Sequence, residues 1–538
     1  MTHRDAGEIG AGLEPARPGR PIAPGERVHV IGAGGAAAAA ACLLAHHVGA
    51  RASGCDAGGP SPYTPPLEDL GIPLSWTHDP AHVIRDGAPL VDRLAVTKAL
   101  TSVFADHPEL LAARSLGIPA TSVQQLIADA AATRGASLVG VAGTHGKSTT
   151  TGWLIHLLAV AGLDPSGFVG ALLPAELVGG SRPSTVRLGA GRHFVVEADE
   201  YAGNFDPYRP GIGALTNADW DHPDVFPDRG AVVAAFDAWI RRFDGAGDGP
   251  VLVANAGDAG AREVITGLRD WPGRLVAVCV VGDDEDPAAV AWALAGSHAT
   301  ARGPAVGIAG RWRVTAAGEG TLEIAGLGGP GRVAARIGLA GRHNAANGLV
   351  AAGTALAAGA DVPAILEGLA TFMGVGRRLE LRGDVDGIVV LDDYGHHPTA
   401  MSATFAAVTE RYPGRRLWAV YEPLTFHRTA AMLGEFAEVL GSADRVVIAD
   451  IHAGRDPDTT ITSAQALADA VNALGRAPAV APGSVESTAD WLAPRVERGD
   501  VVLVMGGGRS YVVAERLLIH LRARAEHDAR PSARGTGA

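Results

Sequence analysis

SLVGVAGTHGKSTTTGWLIHLLAVAG, residues 137–162, is the stretch that decides the fold of this chain. A short apolar run leads into two glycines, and an apolar helical pattern begins at once from Lys147. A strand, a glycine turn and a helix in this order are typical of a phosphate-binding loop. Glycines let backbone N–H groups approach phosphate oxygens, and a helix N-terminus favours negative charge. We therefore predict a nucleoside triphosphate site on an α/β domain.

Lysine usage supports this prediction. The chain has 45 Lys and Arg residues, yet only Lys98 and Lys147 are lysines. A compact ammonium group fits inside a ring of backbone amides where a planar guanidinium does not. Val141 replaces the first glycine of the usual G-x-x-x-x-G-K-[ST] pattern, so a glycine-rich turn with a surface lysine is the alternative. We predict that ATP phosphates are bound by Gly143, Thr144, His145, Gly146, Lys147, Ser148 and Thr149, with Ser148 placed to ligate magnesium.

The same alternation of strands and helices recurs along the chain. VHVIGAGG opens a β-α-β unit, and GIVVLDDYGHHP begins a third α/β series that continues to DVVLVMGGG. Such alternation favours mostly parallel sheets covered by helices. We predict an α/β protein of three domains: Rossmann-like over 27–135, P-loop NTPase-like over 136–374 and Rossmann-like over 375–524. Residues 1–26 are expected to form a disordered extension and 525–538 a flexible tail, and no chemistry is assigned to 250–335.

Composition excludes several classes of protein. A net charge of -13 gives no basic surface for a phosphate backbone, so no nucleic acid partner is expected. Three cysteines are too few for a disulfide framework, and no apolar run is long enough to span a membrane. We therefore expect a cytoplasmic protein without a membrane partner, present as a monomer or dimer.

Several ordered motifs resemble those of the Mur ligases, the ATP-dependent amide-forming enzymes of peptidoglycan precursor synthesis. GTHGKSTTT resembles the nucleotide loop of that family, and VEADEY (196–201) and TNADWDHPD (216–224) resemble its metal-binding segments. GRHNAANG (341–348) is similar to the helix start that contacts adenine. GVGRRLE and LDDYGHHPT resemble the opening of the C-terminal domain. The nearest branch is the one that adds L-alanine to UDP-N-acetylmuramate.

The resemblance implies a reaction and its cofactors. ATP, with Mg2+, phosphorylates the lactyl carboxylate of UDP-N-acetylmuramate, and the amine of an amino acid or short peptide attacks the acyl phosphate. It also implies three α/β domains that close around the substrates. The residues expected to be catalytic are Lys147, Glu197, His222, His396 and Arg428. Those expected to hold the metal are Ser148, Glu197 and His222.

The resemblance assigns binding roles as well. Adenine contacts are expected from His343, Asn344 and Asn347, although Asn also caps helices well. In the C-terminal domain, Arg377 or Arg378 is expected to reach ATP phosphate, and Asp393 to line the nucleotide cleft. Substrate contacts are expected from Gly34, Gly35, Asp56, Tyr394, His396 and Arg428.

Three alternatives stay open, and two of them concern positions where this sequence departs from an expected pattern. Thr425 stands where the alanine-adding branch typically has an arginine, so a ligase that attaches a preformed peptide in cell-wall recycling is the second hypothesis. The turn from Gly32 to Gly35, with Asp56 after the next strand, also fits a dinucleotide fingerprint, although Ala37 replaces a glycine of that pattern. A nicotinamide-dependent oxidoreductase is therefore the alternative of another class. Adjacent His396 and His397 beside two aspartates could instead indicate a zinc site.

Overall fold

In the computed structural model, described residues run from 6 to 528, except 105, 246, 316–318, 454, 455 and 457. The chain divides into two compact units, Met1–Gly376 and Arg377–Ala538. The first unit contains two large sheets and the second contains one.

The first sheet of unit one is parallel throughout, in the order β3-β2-β1-β6-β7. A small antiparallel pair, β4 and β5, lies beside it. The strands are β1 (Arg27–Ile31), β2 (Arg51–Cys55), β3 (Leu74–Ser75), β4 (Ile84–Arg85), β5 (Ala88–Pro89), β6 (Arg93–Val96) and β7 (Ala120–Ser122). The helices are α1 (Ala6–Ile9), α2 (Ala36–His47), α3 (Pro65–Asp69), α4 (Lys98–Thr101), α5 (Pro108–Ser115) and α6 (Val123–Thr133), with a 3-10 turn at Pro80–His82.

The second sheet of unit one has ten strands in the order β10-β9-β11-β8-β12-β13-β14-β17-β18-β19. Its strands, with the small pair β15 and β16, are β8 (Ser137–Ala142), β9 (Ser166–Leu173), β10 (Ser184–Arg187), β11 (His193–Glu197), β12 (Ile212–Leu215), β13 (Val251–Asn255), β14 (Arg274–Val281), β15 (Ala299–Thr300), β16 (Gly303–Pro304), β17 (Val306–Val314), β18 (Gly320–Ala325) and β19 (Arg332–Ile337). Its helices are α7 (Lys147–Val160), α8 (Ala175–Val178), α9 (Arg229–Ile240), α10 (Ala259–Gly267), α11 (Pro287–Ser297), α12 (Arg342–Ala357) and α13 (Val362–Thr371), with a 3-10 turn at Tyr201–Gly203.

The apolar sequence of β8 suits its position in the interior of this sheet. It pairs in parallel with β11 on one side and β12 on the other, and Val139 and Val141 are fully buried. A strand buried on both faces must be apolar along its length, as SLVGVA largely is. Residues 250–335, to which the sequence assigned no chemistry, supply β13 to β19 and so build one half of the sheet.

The single sheet of unit two has the order β20-β21-β25-β22-β23-β24, with only β20 antiparallel to its neighbour. Its strands are β20 (Glu380–Val385), β21 (Ile388–Asp393), β22 (Leu417–Glu422), β23 (Arg445–Ala449), β24 (Ala479–Gly483) and β25 (Val501–Gly506). Its helices are α14 (Pro398–Arg411), α15 (Phe426–Ala431), α16 (Leu433–Leu440), α17 (Ala464–Ala473), α18 (Val485–Leu492) and α19 (Tyr511–Asp528). The predicted α/β class with parallel sheets is confirmed.

The two chain ends differ from the expectation of disorder. From Ala6 onward the predicted extension is packed: Ile9 is fully buried, Ile22 is 3% exposed and Arg17 pairs with the buried Asp129. A few separate apolar and charged residues thus anchor this segment, although its Pro/Gly-rich composition had indicated disorder. Helix α19 runs to Asp528, into the predicted tail, while residues 1–5 and 529–538 lie outside the described part of the chain. Among the described helices, none combines the length and apolarity that a bilayer crossing needs.

Candidate active site

The loop between β8 and α7 needs glycine at both ends. Gly143 has φ 137° and Gly146 has φ 80°, values that favour glycine. A Cβ on Gly143 would lie 2.0 Å from Thr216 Oγ1, and one on Gly146 would lie 2.5 Å from Asn347 Oδ1. Space and conformation therefore both require glycine here. The first N–H groups of α7 have no partner within the helix, which leaves them for an anion.

Asn217 fixes the shape of this loop. Its Oδ1 accepts from the His145 backbone N–H at 2.8 Å, and its Nδ2 donates to the His145 carbonyl at 2.9 Å. The Thr144 backbone N–H donates to the Asn217 carbonyl at 3.3 Å. The amides of Thr144 and His145, which were expected to bind phosphate, thus already have partners within the protein, and the helix start from Gly146 to Thr149 is the better cradle.

Lys147 is a half-buried cation facing two carboxylates. Its Nζ lies 2.7 Å from Glu200 Oε2 and 3.5 Å from Asp199 Oδ1, and its side chain is 12% exposed. Burial lowers the pKa of Lys147, but Glu200 and Asp199 outweigh it and hold that pKa above its usual value. Burial raises the pKa of Glu200 to about 7, against the pull of Lys147. The ammonium is therefore charged at neutral pH.

Ser148 and Glu197 form a second polar contact at the start of α7. Ser148 Oγ donates to Glu197 Oε1 at 3.0 Å, and the Gly170 backbone N–H donates to Glu197 Oε2 at 2.7 Å. Glu197 ends β11, directly beside the end of β8. The predicted neighbours Ser148 and Glu197 are therefore brought together at the carboxyl edge of the sheet, where ligands of parallel sheets gather.

His222 lies close to the Lys147 carboxylates. Its Nε2 is 3.9 Å from Glu200 Oε1, and its ring centroid is 5.0 Å from that of Tyr201. Asp199, Glu200 and His222 each offer one ligand atom within 4.8 Å of the others. Glu200 Oε1 is buried and has no hydrogen-bond partner among the described residues. An orphaned carboxylate oxygen beside an imidazole is a donor set that fits a divalent cation.

The start of α12 lies against the phosphate loop. Asn344 Nδ2 donates to the Ala340 carbonyl at 2.8 Å, and Asn347 Nδ2 donates to Asn344 Oδ1 at 3.4 Å. Both asparagines are buried, whereas His343 is half-buried. A Cβ on Gly146 would lie 2.5 Å from Asn347 Oδ1, so this helix packs directly against the loop.

The glycine turn after β1 is closed by Asp56. Asp56 Oδ2 accepts from the Gly34 backbone N–H at 2.9 Å, and its Oδ1 accepts from the Gly58 backbone N–H at 2.7 Å. Ser61 Oγ donates to the Gly34 carbonyl at 2.6 Å. Oδ2 of Asp56 therefore supports the turn after β1 and Oδ1 supports the loop after β2, so both oxygens already accept backbone hydrogen bonds.

Arg377 is engaged within unit two. Its guanidinium donates to the Gly506 carbonyl and to Ser510 Oγ, each at 2.7 Å, and to the Gly508 carbonyl at 3.3 Å. The same group lies 5.1 Å from the Tyr394 ring centroid. Arg377 thus stabilises the GGGRS turn for which the sequence alone offered no account.

Asp393 ends β21, and Tyr394 and His396 lie on the loop that follows it. Asp393 accepts from the backbone N–H groups of Leu379, at 2.8 Å, and Gly395, at 2.7 Å. His396 Nδ1 lies 2.8 Å from the Tyr394 carbonyl, and the two rings meet edge to face. Asp393 therefore holds the loop in shape. Among the described residues of unit two, no metal-type cluster formed within that unit contains either histidine of the pair, and the zinc alternative stays a prediction.

Thr425 has a structural role. It caps α15, with its Oγ1 accepting from the Arg428 backbone N–H at 3.4 Å, and it has φ 67°, which is rare for a β-branched residue. Arg428 is 3% exposed. The cap holds the arginine in place at the carboxyl edge of the sheet.

Sequence reasoning missed three acids. Asp199 and Glu200 stand within the VEADEY segment, where only Glu197 was assigned. Their positions, two and three residues after Glu197 in the same acidic motif, were the signal by which the sequence could have identified them. Glu422 ends β22 in unit two, is 4% exposed and has Oε2 without a hydrogen-bond partner among the described residues. Burial raises the pKa of Glu422 to about 7.

The strand, loop and helix at β8 and α7 define the chain as a phosphate-loop protein of the α/β class. Family models agree along its length. "Mur ligase family, catalytic domain" matches residues 27–134, "Mur ligase middle domain" matches 141–355, and "Mur ligase, glutamate ligase domain" matches 377–508.

Full-length relatives and solved structures agree with these matches. The UDP-N-acetylmuramate–L-alanine ligase of Kineococcus radiotolerans is 36% identical over 501 residues, covering 91% of this chain and 95% of its own. The enzyme of that name from Frankia casuarinae is 34% identical, covering 92% and 98%. The fold is similar to that of the Thermotoga maritima UDP-N-acetylmuramate–alanine ligase, at 22% identity, coverage of 93% and 99% and a TM-score of 0.72. The chain belongs to the Mur ligase family.

Proposed function

We propose that this chain is an ADP-forming ligase that uses ATP to join L-alanine to the lactyl carboxylate of UDP-N-acetylmuramate. The observation that carries the proposal is the half-buried Lys147 at the end of a phosphate loop, 2.7 Å from Glu200, in a chain 36% identical to an enzyme of that name. The expected route is phosphorylation of the carboxylate, followed by attack of the amine on the acyl phosphate.

The phosphate loop binds the triphosphate. Backbone N–H groups from Gly146 to Thr149 face the phosphate oxygens, and the Lys147 ammonium neutralises charge on the outer phosphates. Because Glu200 and Asp199 keep Lys147 charged, the cation is in place before the nucleotide arrives. Side chains of Asn344 and Asn347, with His343, provide the contacts to adenine.

The divalent cation of this reaction is Mg2+. Ser148 Oγ and Glu197, which already touch, would hold one ion, and Glu197 and His222, with the buried Oε1 of Glu200 beside the imidazole, would hold or approach a second. When bound, the ion neutralises phosphate oxygens as charge develops. Glu197 also accepts a hydrogen bond from the Ser148 hydroxyl, which orients that oxygen.

The sugar nucleotide binds in the first sheet of unit one. The Gly34 and Gly35 turn, held by Asp56, presents its backbone to the diphosphate. Tyr394, His396 and Arg428 of unit two are the proposed contacts to the reacting groups. Asp393 and Arg377 act there by fixing the loops, since their polar groups are engaged by backbone atoms.

Phosphate release tests the proposal. Purified protein is mixed with ATP, Mg2+ and UDP-N-acetylmuramate and then given L-alanine, glycine, L-serine or the recycling tripeptide in separate reactions. We expect phosphate and ADP to form in equal amounts only when an amine is present, and fastest with L-alanine. Phosphate release that depends on the tripeptide alone would instead identify a peptide-adding ligase. The absence of release with every amine would overturn the proposed ligase activity.

The alternatives have weaker support. A murein peptide ligase from Psychrobacter arcticus shares the fold with a TM-score of 0.66 at 23% identity. The oxidoreductase hypothesis gives the phosphate loop no role, and none of the relatives described above is an oxidoreductase. A cytoplasmic location and a monomeric or dimeric state stay predictions.

A further inference from the structure

A group of metal-ligand side chains lies in the first sheet of unit one, apart from the phosphate loop. We call it the His–Cys–Glu cluster; its members are His29, Cys55, His82 and Glu109. They come from β1, from the end of β2, from the 3-10 turn and from the first turn of α5. One ligand atom from each lies within 4.8 Å of the other three.

The separations suit a tetrahedral ion. Glu109 Oε1 lies 2.9 Å from His82 Nδ1, and Glu109 Oε2 lies 3.5 Å from His29 Nε2. Cys55 Sγ lies 3.2 Å from Glu109 Oε2. In a tetrahedral zinc site, with bonds of about 2.0 to 2.3 Å, two ligand atoms lie about 3.3 to 3.8 Å apart. The three distances to Glu109 lie near that range, and the four ligand atoms all lie within 4.8 Å of one another, so an ion would be bound after the side chains move together around it.

The imidazole of His29 is prepared as a ligand. The residue is 3% exposed, and its Nε2 is buried with no hydrogen-bond partner among the described residues. Its other ring nitrogen, Nδ1, lies 2.9 Å from Ser53 Oγ, which orients the ring. Metal-binding histidines are typically oriented by a hydrogen bond at the second nitrogen in this way. Nε2 faces the carboxylate of Glu109, with Oε2 at 3.5 Å.

Charge balance favours a divalent ion. Cys55 and Glu109 are both fully buried, and a buried charge is costly without a partner. One thiolate, one carboxylate and two neutral imidazoles around a dication sum to zero charge. The Asp79 backbone N–H donates to Glu109 Oε1 at 2.9 Å, so the carboxylate is also held from outside the cluster.

We propose that the His–Cys–Glu cluster binds one Zn2+ ion. Zinc binds cysteine sulfur, histidine nitrogen and carboxylate oxygen, and its structural sites are four-coordinate, so this set of four side chains is one that zinc accepts. The ion is structural and fixes the glycine turn, because the Cys55 carbonyl accepts from the backbone N–H groups of Gly32, at 2.8 Å, and Ala33, at 3.0 Å. Metal binding thereby stabilises the loop proposed to hold the sugar nucleotide. A metal-free hydrogen-bonded cluster is the competing explanation.

Metal content tests the proposal without any assay of ligase activity. The reduced full chain is stripped with a chelator, given Zn2+ or Co2+, desalted and analysed by mass spectrometry for metal per chain. We expect about one ion per chain, and a thiolate-to-cobalt charge-transfer band in the Co2+ form. We also expect Zn2+ to raise the melting temperature of the stripped protein.

Matched variants locate the ion. Cys55→Ser and His82→Gln are expected to lower bound zinc at least tenfold and to remove the cobalt band. Cys42→Ser is the control for a buried cysteine outside the cluster, and Cys279→Ser is the control for a half-buried one; both should retain the ion. Glu200→Gln should also retain it, which separates this cluster from Asp199, Glu200 and His222.

Two outcomes overturn the proposal. One is a folded wild-type chain, checked by circular dichroism, that binds no zinc after desalting. The other is full zinc retention in Cys55→Ser and His82→Gln. Because His82 is 22% exposed, His82→Gln provides the test even if Cys55→Ser does not fold. Either result leaves the proposed ligase function untouched.

Discussion

Lys147 is at the centre of the proposed chemistry, and its buried partners make its removal costly. Glu200 is 1% exposed and Asp199 lies next to it, so deleting the ammonium leaves two carboxylates without a cation. The loop then presents negative charge to a negatively charged nucleotide. This is a loss of electrostatic stabilisation at the point where phosphoryl transfer occurs.

Lys147→Met is expected to lower the rate of L-alanine-dependent phosphate release by about 100-fold or more. The matched control is Lys98→Met, because Lys98 is the other lysine of the chain and donates to the Ala202 carbonyl at 2.6 Å. That variant should lose less than about tenfold, since a hydrogen bond to one carbonyl contributes about 1 kcal/mol. Equal losses in the two variants would contradict a special role for Lys147.

Glu422 gives a pH-dependent prediction. Its pKa is raised from 4.5 to about 7 by burial, so the folded chain holds this proton more tightly than the unfolded chain. The free energy of unfolding therefore falls as the pH rises from 4.5 to 7, by up to about 3 kcal/mol. Glu422→Gln should remove this part of the dependence and stabilise the protein more at pH 8 than at pH 5.

Urea midpoints at the two pH values measure this difference. Glu438→Gln is the control, because the Glu438 side chain is 54% exposed and pairs with Arg476 on the surface. The control should keep the wild-type dependence on pH. If Glu422→Gln also keeps it, the buried carboxyl is not the titrating group.

Local sequence revealed some of these residues and not others. Lys147 and Ser148 were predictable because the loop that uses them is continuous in sequence. Asp199, Glu200 and Glu422 were missed, because the importance of an acid depends on burial, which tertiary packing decides. Asp56 was identified from the sequence, but its hydrogen bonds to the backbone of Gly34 and Gly58 could not be predicted, because they depend on distances in the folded chain.

At the scale of elements, the contact between the phosphate loop and α12 is the critical junction. Gly146 has φ 80°, and a Cβ there would lie 2.5 Å from Asn347 Oδ1. A methyl group would push α12 away from the loop. Binding of a nucleotide that contacts both elements would then weaken.

Gly146→Ala is expected to weaken ATP binding at least tenfold, as measured by calorimetry. Gly135→Ala is the control: its φ is 62°, so it carries a similar left-handed penalty of about 1 to 2 kcal/mol, but nothing lies within 4 Å of its Cβ. ATP affinity in the control should equal that of wild type. A normal affinity in Gly146→Ala would show that the junction tolerates displacement.

Elements were predictable when their partners were near in sequence. The order of β8, loop and α7 follows from one continuous pattern. The GGGRS turn had no explanation because the arginine that holds it, Arg377, lies 129 residues before Gly506. Thr425 is similar, because its positive φ and its cap on α15 appear only in three dimensions.

At the scale of the whole molecule, the N-terminal segment joins the first sheet of unit one. Arg17 makes two hydrogen bonds to the fully buried Asp129, at 2.8 and 2.9 Å. Asp129 also pairs with Arg93 at 2.5 Å. The segment thus contributes to burying a charge inside the unit.

Arg17→Gln is expected to reduce the free energy of unfolding by about 1 to 3 kcal/mol, because it removes two charge-assisted hydrogen bonds. Thermal unfolding measures the change. Arg20→Gln is the matched control, since Arg20 reaches Asp129 through its backbone N–H and not through its side chain. An unchanged melting temperature in Arg17→Gln would mean that this anchor adds no stability.

The overall architecture could be read from the alternation of strands and helices, which predicted the α/β class with parallel sheets. The N-terminal segment was misjudged, because composition does not show that Ile9 and Ile22 are buried. The partners of such isolated residues lie about a hundred positions away, as for Arg17 and Asp129.

The scarcity of lysine has a chemical consequence. A mixed anhydride of phosphate and carboxylate is an electrophile that modifies any free primary amine it meets. This chain has two lysines; Lys147 is held as an ammonium by Glu200, and Lys98 is bound to a carbonyl. The protonated nitrogen of Lys147 has no lone pair to attack with. An enzyme with so few lysines offers few sites at which the acyl phosphate can acylate the protein itself. An acyl phosphate that leaves the site would be hydrolysed by water instead.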